Sequence, residues 1–233
     1  MPNLKDILSL NISSVKWILV IEKEATFRSL MSSPQWEKLG SNGVILTAKG
    51  YPDISSRRFL RQLADHAPHI PMYAFVDLDP DGIAILSTYK YGSYRLAHED
   101  LASSDAPGLN LPNIHWLGLK TAHLTRPLVS EKGKAAPLHL QGLMKLTARD
   151  RTKAQRMLEW DLCAEDGPEP GWRQELQKML MCNIKAEMQI LDELPGGLVS
   201  WLSGELKQCG EEGTVYTQDI LFEAELSDDG MLF

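Results

Sequence analysis

The sequence is poor in cysteine and has no long apolar run. Only three cysteines occur in 233 residues, Cys163, Cys182 and Cys209, isolated from one another and odd in number. That usage fits a reducing compartment, and no C-x-x-C spacing suggests a zinc site. No window approaches 18 uncharged apolar residues, so no membrane-spanning helix and no membrane partner are expected. The start, Met1-Pro2-Asn3-Leu4-Lys5-Asp6, lacks a basic segment followed by an apolar one, so no signal peptide is expected. There is no internal repeat and no long low-complexity tract. His66 and His69 flank Ala67-Pro68 and cannot share a helix face, and His115 and His123 have no partner at metal-ligand spacing.

What is present is a chain long enough for one sizeable domain or two small ones, with 43% hydrophobic residues to fill a core. The net charge of −7 weighs against a nucleic-acid partner, but its distribution is uneven. Residues 1–100 carry 11 Lys+Arg against 11 Asp+Glu, residues 101–156 carry 9 against 3, and residues 157–233 carry 4 against 17. The basic middle could face phosphates, and the acidic last third suits a solvated or partner-facing surface.

Apolar runs alternate with helical patterns along the first half. Trp17–Ile21 is continuous and apolar, as in a buried parallel strand, and a helix follows to Ser32-Ser33-Pro34. Gly43–Ala48 is a second strand. A helix capped by Asp53 or Ser55 runs through Phe59, Leu60, Leu63 and Ala64 to Pro68. Pro71–Val76 is a third strand, Gly82–Tyr91 a helix, residues 98–112 a loop, and Ile114–Leu119 a fourth strand. This order predicts an α/β fold with a mainly parallel four-stranded sheet, helices on both faces and a helical C-terminal region. Residues 125–146 are expected to be a basic loop. Thr147 caps a helix to about Leu162 carrying Arg149, Arg151, Lys153 and Arg156, which is either a solvated face or a phosphate contact. Trp172–Leu194 has the longest helical pattern, with Trp172, Met179 and Met188 assigned to the core, and Leu198–Leu206 is a short final helix.

Two strands end in carboxylates. Ile18-Leu19-Val20-Ile21 runs into Glu22, and Tyr73-Ala74-Phe75-Val76 runs into Asp77-Leu78-Asp79-Pro80-Asp81-Gly82. Strand side chains alternate faces, so Asp77 and Asp79 can point the same way. Asp, Pro and Gly are also common turn residues, and Asp77–Gly82 alone could be only a turn. With Glu22 at a neighbouring strand end, the three acids suit Mg2+, which takes one or two carboxylates, several waters and a substrate phosphate. The residues by themselves therefore point to Mg2+-dependent phosphoryl chemistry.

The spacing of Glu22 and Asp77-x-Asp79 resembles the Toprim domain of topoisomerases, primases and related nucleases. Ile21-Glu22-Lys23-Glu24-Ala25-Thr26-Phe27, Lys49-Gly50-Tyr51-Pro52-Asp53, Asp77–Gly82, Ser87–Ser93 and Trp116–Leu119 occur in this order. Together they resemble the A-type subunit of DNA topoisomerase VI and its eukaryotic relative that makes meiotic double-strand breaks, over about residues 10–205. The Glu-Lys-Glu-Ala form is closer to the eukaryotic branch. Asp81 stands where that family often has an aromatic, and Ala48 where it commonly has glycine.

The resemblance implies a Rossmann-like Toprim fold with Mg2+ held by Glu22, Asp77 and Asp79, and with Glu22 also able to transfer a proton. It implies DNA-backbone contacts by Lys49, Arg57 and Arg58; for Arg58 and Arg61 a solvated helix face is the bland alternative. It further implies a two-fold dimer with a second copy or a full-length paralogue, a topoisomerase VI B-like subunit, meiotic accessory proteins and a nuclear location. The expected organisation is a lead-in segment at 1–15 and a Toprim core at 16–124. A basic linker and C-terminal helices complete the domain at 125–209, and an acidic flexible tail follows at 210–233.

Members of this family attack DNA with a tyrosine in a winged-helix domain that precedes Toprim. Only 16 residues precede Trp17 and none is tyrosine. The six tyrosines, Tyr51, Tyr73, Tyr89, Tyr91, Tyr94 and Tyr216, have no winged-helix context, and Tyr89, Tyr91 and Tyr94 are assigned to packing or backbone contact. The chain alone is thus expected to form no covalent DNA adduct, although the family it resembles is that of the ATP-hydrolysing type IIB topoisomerases. Two alternatives are a non-catalytic DNA-binding and dimerisation module from a truncated gene, and a stand-alone Mg2+-dependent nuclease.

Overall fold

The computed structural model describes residues 12–92, 108–125, 142–193 and 196–209. Several expectations lie outside the described residues: most of the lead-in segment, much of the 98–112 loop, most of the basic 125–146 loop, Tyr94 and Tyr216, and the acidic tail. None of the described helices is long and apolar enough to cross a membrane.

The four apolar runs form one parallel sheet in the order β2-β1-β3-β4. β1 is Trp17–Ile21, β2 Gly43–Thr47, β3 Met72–Phe75 and β4 Ile114–Gly118. Every residue of β1 and β3 is buried, which is why both read as unbroken apolar stretches rather than alternating ones. Helices intervene: α1 (Glu24–Ser32) and the short α2 (Trp36–Gly40) after β1, α3 (Ile54–His66) after β2, and α4 (Pro80–Tyr91) after β3. The result is an α/β fold with helices around a four-stranded parallel sheet.

The helix starts follow the capping residues. Asp53 accepts from Ser56 N at 2.7 Å to open α3, satisfying an amide that has no partner within the helix. α4 is apolar on all sides, and Pro80 to Tyr89 is buried almost without a break, as expected for an internal helix. It starts hard against the end of β3: a Cβ on Gly82 would lie 2.3 Å from the carbonyl oxygen of Asp77, so only glycine fits there.

The second half wraps this core. α5 (Thr121–Thr125) follows β4; then come β5 (Leu143–Lys145), α6 (Ala148–Leu158), a 3-10 turn at Asp161–Cys163, α7 (Pro170–Cys182), β6 (Ile184–Ala186), a second 3-10 stretch at Met188–Glu193, and α8 at 197–209. Thr147 and Asp150 cap α6 reciprocally, at 3.2 Å and 2.9 Å. α6 packs on α4 and α7 on α6. Leu198, Leu202 and Leu206 of α8 are buried, and its Trp201 meets Phe75 of β3 at 5.4 Å between ring centroids. Residues from both halves thus share one hydrophobic core.

Three expectations change. α6 ends at Leu158, before Leu162. Part of the expected 125–146 loop is the strand β5. The long helix expected over 172–194 breaks at Asn183, which takes a left-handed conformation (φ 53, ψ 43) and caps α7. Beyond it, Ile184–Ala186 pairs antiparallel with β5, and Leu78 and Ala186 exchange backbone hydrogen bonds at 2.9 and 3.0 Å. Met179 and Met188 are fully buried, and Trp172 nearly so, as expected, although Met188 lies on a 3-10 segment rather than on a helix.

Candidate metal centre

The chain passes from β1 outward to β2, then back across β1 to β3. The order therefore reverses between β1 and β3, and the crevice at their carboxyl ends is where open α/β sheets bind ligands. Glu22 follows β1 and Asp77 follows β3 at this point.

Glu22 is held on both sides. Its amide donates to Phe75 O at 3.0 Å and its carbonyl accepts from Gly50 N at 2.9 Å. Its side-chain Oε2 accepts from Asp77 N at 2.9 Å, which joins the two strand ends. Burial, the nearby Asp77 carboxylate and, more weakly, Asp79 push the Glu22 carboxyl up to about 7.

Asp77 is 4% exposed. Its Oδ1 accepts from Met188 N at 2.8 Å, and its Oδ2 pairs with Lys23 Nζ at 2.8 Å. Leu78, one residue on, is fixed by its backbone bridge to Ala186. Asp79 then caps α4, accepting from Gly82 N at 2.7 Å. Both aspartates are raised above the usual carboxylate range, chiefly by burial; Asp77 adds to the effect on Asp79. Three acids thus repel one another in a partly dry crevice, a charge arrangement that a cation relieves.

The structure brings Glu22, Asp77 and Asp79 to one place, with both oxygens of Asp77 and one each of Glu22 and Asp79 engaged by internal partners. Among the described residues no group of three His, Cys, Asp or Glu side chains is gathered to grip an ion. The donor chemistry nonetheless fits Mg2+: all three are hard oxygen donors, and that ion needs only one or two carboxylates beside its waters. Lys23 already supplies a positive charge at this point. Its ammonium also pairs with Glu187 Oε2 at 3.2 Å and reaches Gln189 Oε1 at 3.5 Å.

The predicted DNA contacts separate. Lys49 sits in the loop after β2 with a left-handed backbone (φ 61); its side chain is 64% exposed and pairs with Glu24 at 3.1 Å. Arg58 is exposed. Arg57 is corrected: it is 1% exposed, on the inward face of α3 with Phe59, Leu60 and Leu63, and donates to Asn110 Oδ1 at 3.1 Å. It is turned into the protein and does not present to a DNA backbone. Arg61 donates to Asn110 O at 3.1 Å and pairs with Asp65.

Several site neighbours escaped sequence reasoning. Lys153 of α6 pairs with Asp81 and donates to the Tyr51 hydroxyl at 2.9 Å, so this part of the basic helix faces the mouth of the centre. Tyr51 itself donates to Asp81 at 3.2 Å. Lys185 pairs with Asp150 at 2.9 Å. Arg149 and Arg156 are exposed. Lys23 was detectable by its adjacency to Glu22, whereas Lys153 stood out only as part of a basic helix and Met188 only as core, and these two and Glu187 reach the centre through the fold. The described tyrosines have other tasks: Tyr73 and Tyr89 are buried, and Tyr91 donates to Glu169 at 2.5 Å.

Comparison with known proteins gives the family. Residues 17–199 match the family model for the Toprim domain of the topoisomerase 6 A-type subunit/Spo11 group. The chain is 35% identical over 202 residues to meiotic recombination protein SPO11-1 of Oryza sativa subsp. indica, covering 87% of this chain and 46% of that protein. It is 34% identical over 203 residues to human meiotic recombination protein SPO11, covering 85% and 46%. It is 32% identical over 179 residues to the DNA topoisomerase 6 A-type subunit of Arabidopsis thaliana, covering 77% and 37%. The chain spans less than half the length of each of these relatives.

Proposed function

The chain belongs to the topoisomerase 6 A-type subunit/Spo11 family, whose Toprim domain it contains, and from that premise we propose that it supplies the Mg2+-binding half of a DNA-cleaving centre. The observation that carries this reading is the meeting of Glu22 and Asp77, 2.9 Å from Oε2 to amide, beside Asp79 at the switch point of the sheet. Glu22, Asp77 and Asp79 would hold the ion. Bound Mg2+ would neutralise charge on a scissile phosphodiester and steady its leaving oxygen.

The residues of the chain do the remaining work. Lys49 and Arg58 are exposed cations that fix the DNA backbone. Glu22 is also placed to accept or return a proton as the phosphodiester exchanges one ester oxygen for another. The attacking tyrosine lies outside the described tyrosines, in another segment or another chain. Its phenol oxygen bonds to phosphorus as the P–O3′ bond breaks, and the phenol proton ends on the released 3′ oxygen. Two such centres in a two-fold dimer cut both strands. Relatives named as meiotic recombination proteins support a part in meiotic recombination; a nuclear location and partnership with accessory proteins and a B-like subunit belong to the same proposal.

The test is complementation of a tyrosine-bearing relative that lacks its own acids. Double-strand cleavage should appear with the wild-type chain and Mg2+, and fall at least about a hundredfold with Asp77→Asn plus Asp79→Asn. A second reading, a DNA-binding and dimerisation module without a metal, is favoured by the ion pair that already occupies Asp77. It requires the double variant to complement fully.

A further inference from the structure

Lys23 precedes the first turn of α1, and its ammonium turns away from that helix into the centre. It touches three side-chain oxygens from two distant parts of the chain: Asp77 Oδ2 at 2.8 Å, Glu187 Oε2 at 3.2 Å and Gln189 Oε1 at 3.5 Å. Asp77 is the hub of this arrangement. One of its carboxylate oxygens holds Lys23, and the other holds the amide of Met188, between the two residues that Lys23 also binds. The side chain of Lys23 is only 26% exposed, so this ion pair is partly desolvated. Its Coulomb attraction is therefore less screened than that of a surface pair.

We propose that Lys23 is a built-in counter-cation that competes with the divalent ion for Asp77 and, while it holds that position, latches residues 187–189 over the centre. This rests on the metal-binding reading given above. An ammonium and a divalent cation cannot both sit within 3 Å of the same carboxylate oxygen, because their mutual repulsion at such separations costs several kcal/mol even at an effective dielectric of about 20. Lys23 must leave Asp77 Oδ2 for a cation to bind that oxygen. When it leaves, Glu187 and Gln189 lose the contact that ties them to the β1 end. Loading the centre and loosening the 187–189 segment become one event, and the freed ammonium lies where an entering phosphate brings negative charge. Lys23 is thus a positioning residue that sets the threshold for metal entry. The same contacts couple that threshold to a segment more than 160 residues away in sequence.

The experiment titrates Mn2+ and Mg2+ into the full chain, into Lys23→Met and into Lys23→Arg, by calorimetry and Mn2+ paramagnetic resonance, without DNA. Hydrogen exchange of residues 186–190 is followed in the same samples. The expected result is divalent affinity at least about tenfold tighter in Lys23→Met than in wild type, with Lys23→Arg close to wild type. Metal should speed exchange at residues 187–189 in the wild type, while Lys23→Met should exchange fast there before metal is added. Should Lys23→Met prove too unstable, Glu187→Gln provides the second arm: it keeps Asp77 paired but weakens the latch, and should speed exchange at 187–189 without metal. If the wild type binds metal and Lys23→Met binds it equally or more weakly, the competition is refuted while the metal-binding reading stands. If neither chain binds metal, both fall. Binding by Lys23→Met alone supports the competition and shows that the lysine blocks the site.

Discussion

Residues 17–22 and 72–79 form the floor of the centre, and residues 183–189 lie across it. The floor is built from two adjacent parallel strands, buried on both faces, whose last residues change from apolar to acidic. Its position follows from sheet topology, and its acids are unfavourably placed: burial raises all three carboxyl groups, with neighbouring acids adding to it at Glu22 and Asp79. The crossing segment has the opposite character. It is irregular, enters through a left-handed Asn183, and is tied down by backbone pairing with Leu78 and by Asp77 and Lys23. One region concentrates negative charge; the other gives Asp77 an amide donor from Met188 and holds Lys23 beside it through Glu187 and Gln189. Lys23 already offsets part of this charge at Asp77, and burial leaves the rest destabilising until a further cation arrives.

That contrast can be broken most severely at Ala186. Proline there removes the amide that donates to Leu78 O at 3.0 Å and disrupts the pairing of β6 with β5. Ala186→Pro should cost about 3 kcal/mol in urea unfolding. A loss below about 0.5 kcal/mol would mean that the crossing segment is not integral to the fold. On the floor side, Gly82→Ala forces a methyl against the Asp77 carbonyl and should lower stability by about 1–3 kcal/mol, read as a lowered midpoint.

A third change sharpens the comparison by its sign. Glu22 is raised from 4.5 to about 7, so the folded chain holds this proton where the unfolded chain has released it. Its contribution to stability is fully present below about pH 4.5 and is lost as pH rises through about 7. Glu22→Gln keeps an oxygen to accept from Asp77 N and removes the charge. Without metal, the variant should be more stable than wild type at pH 8 by about 1–2 kcal/mol, with the difference vanishing near pH 4.5, as thermal melts across that range would report. A variant less stable than wild type at pH 8 would show that the Glu22 charge is already compensated in the fold.

The smallest effect separates two adjacent arginines. Arg58→Ala should change stability by less than about 0.5 kcal/mol and weaken DNA binding, with a reduced salt slope in a filter or anisotropy titration. Arg57→Ala should instead destabilise the fold, because the buried guanidinium anchors Asn110.

These pairs also show what was legible in the sequence. The four strands, the Asp53 and Thr147 caps and the placement of Glu22 and Asp77 follow from local patterns of apolar runs and capping residues. Arg57 and Arg58 carry the same chemistry, and only the phase of α3 against the sheet decides which is buried. Residues 172–194 keep helical spacing of apolar residues through a break, because Ile184, Met188 and Leu191 stay at that spacing while the backbone becomes strand and 3-10 turn. Asn183 was the local sign of that break. Lys153 and Glu187 reach the centre only through contacts between distant elements, which no periodicity encodes.

The most direct measurement is calorimetric titration of Mg2+ into the full chain near pH 7.5, beside Glu22→Gln and the Asp77→Asn, Asp79→Asn pair. The account predicts a saturable site in the wild type, accompanied by a higher melting temperature, and its loss in both variants. Equal heats and equal stabilisation in all three chains would contradict it.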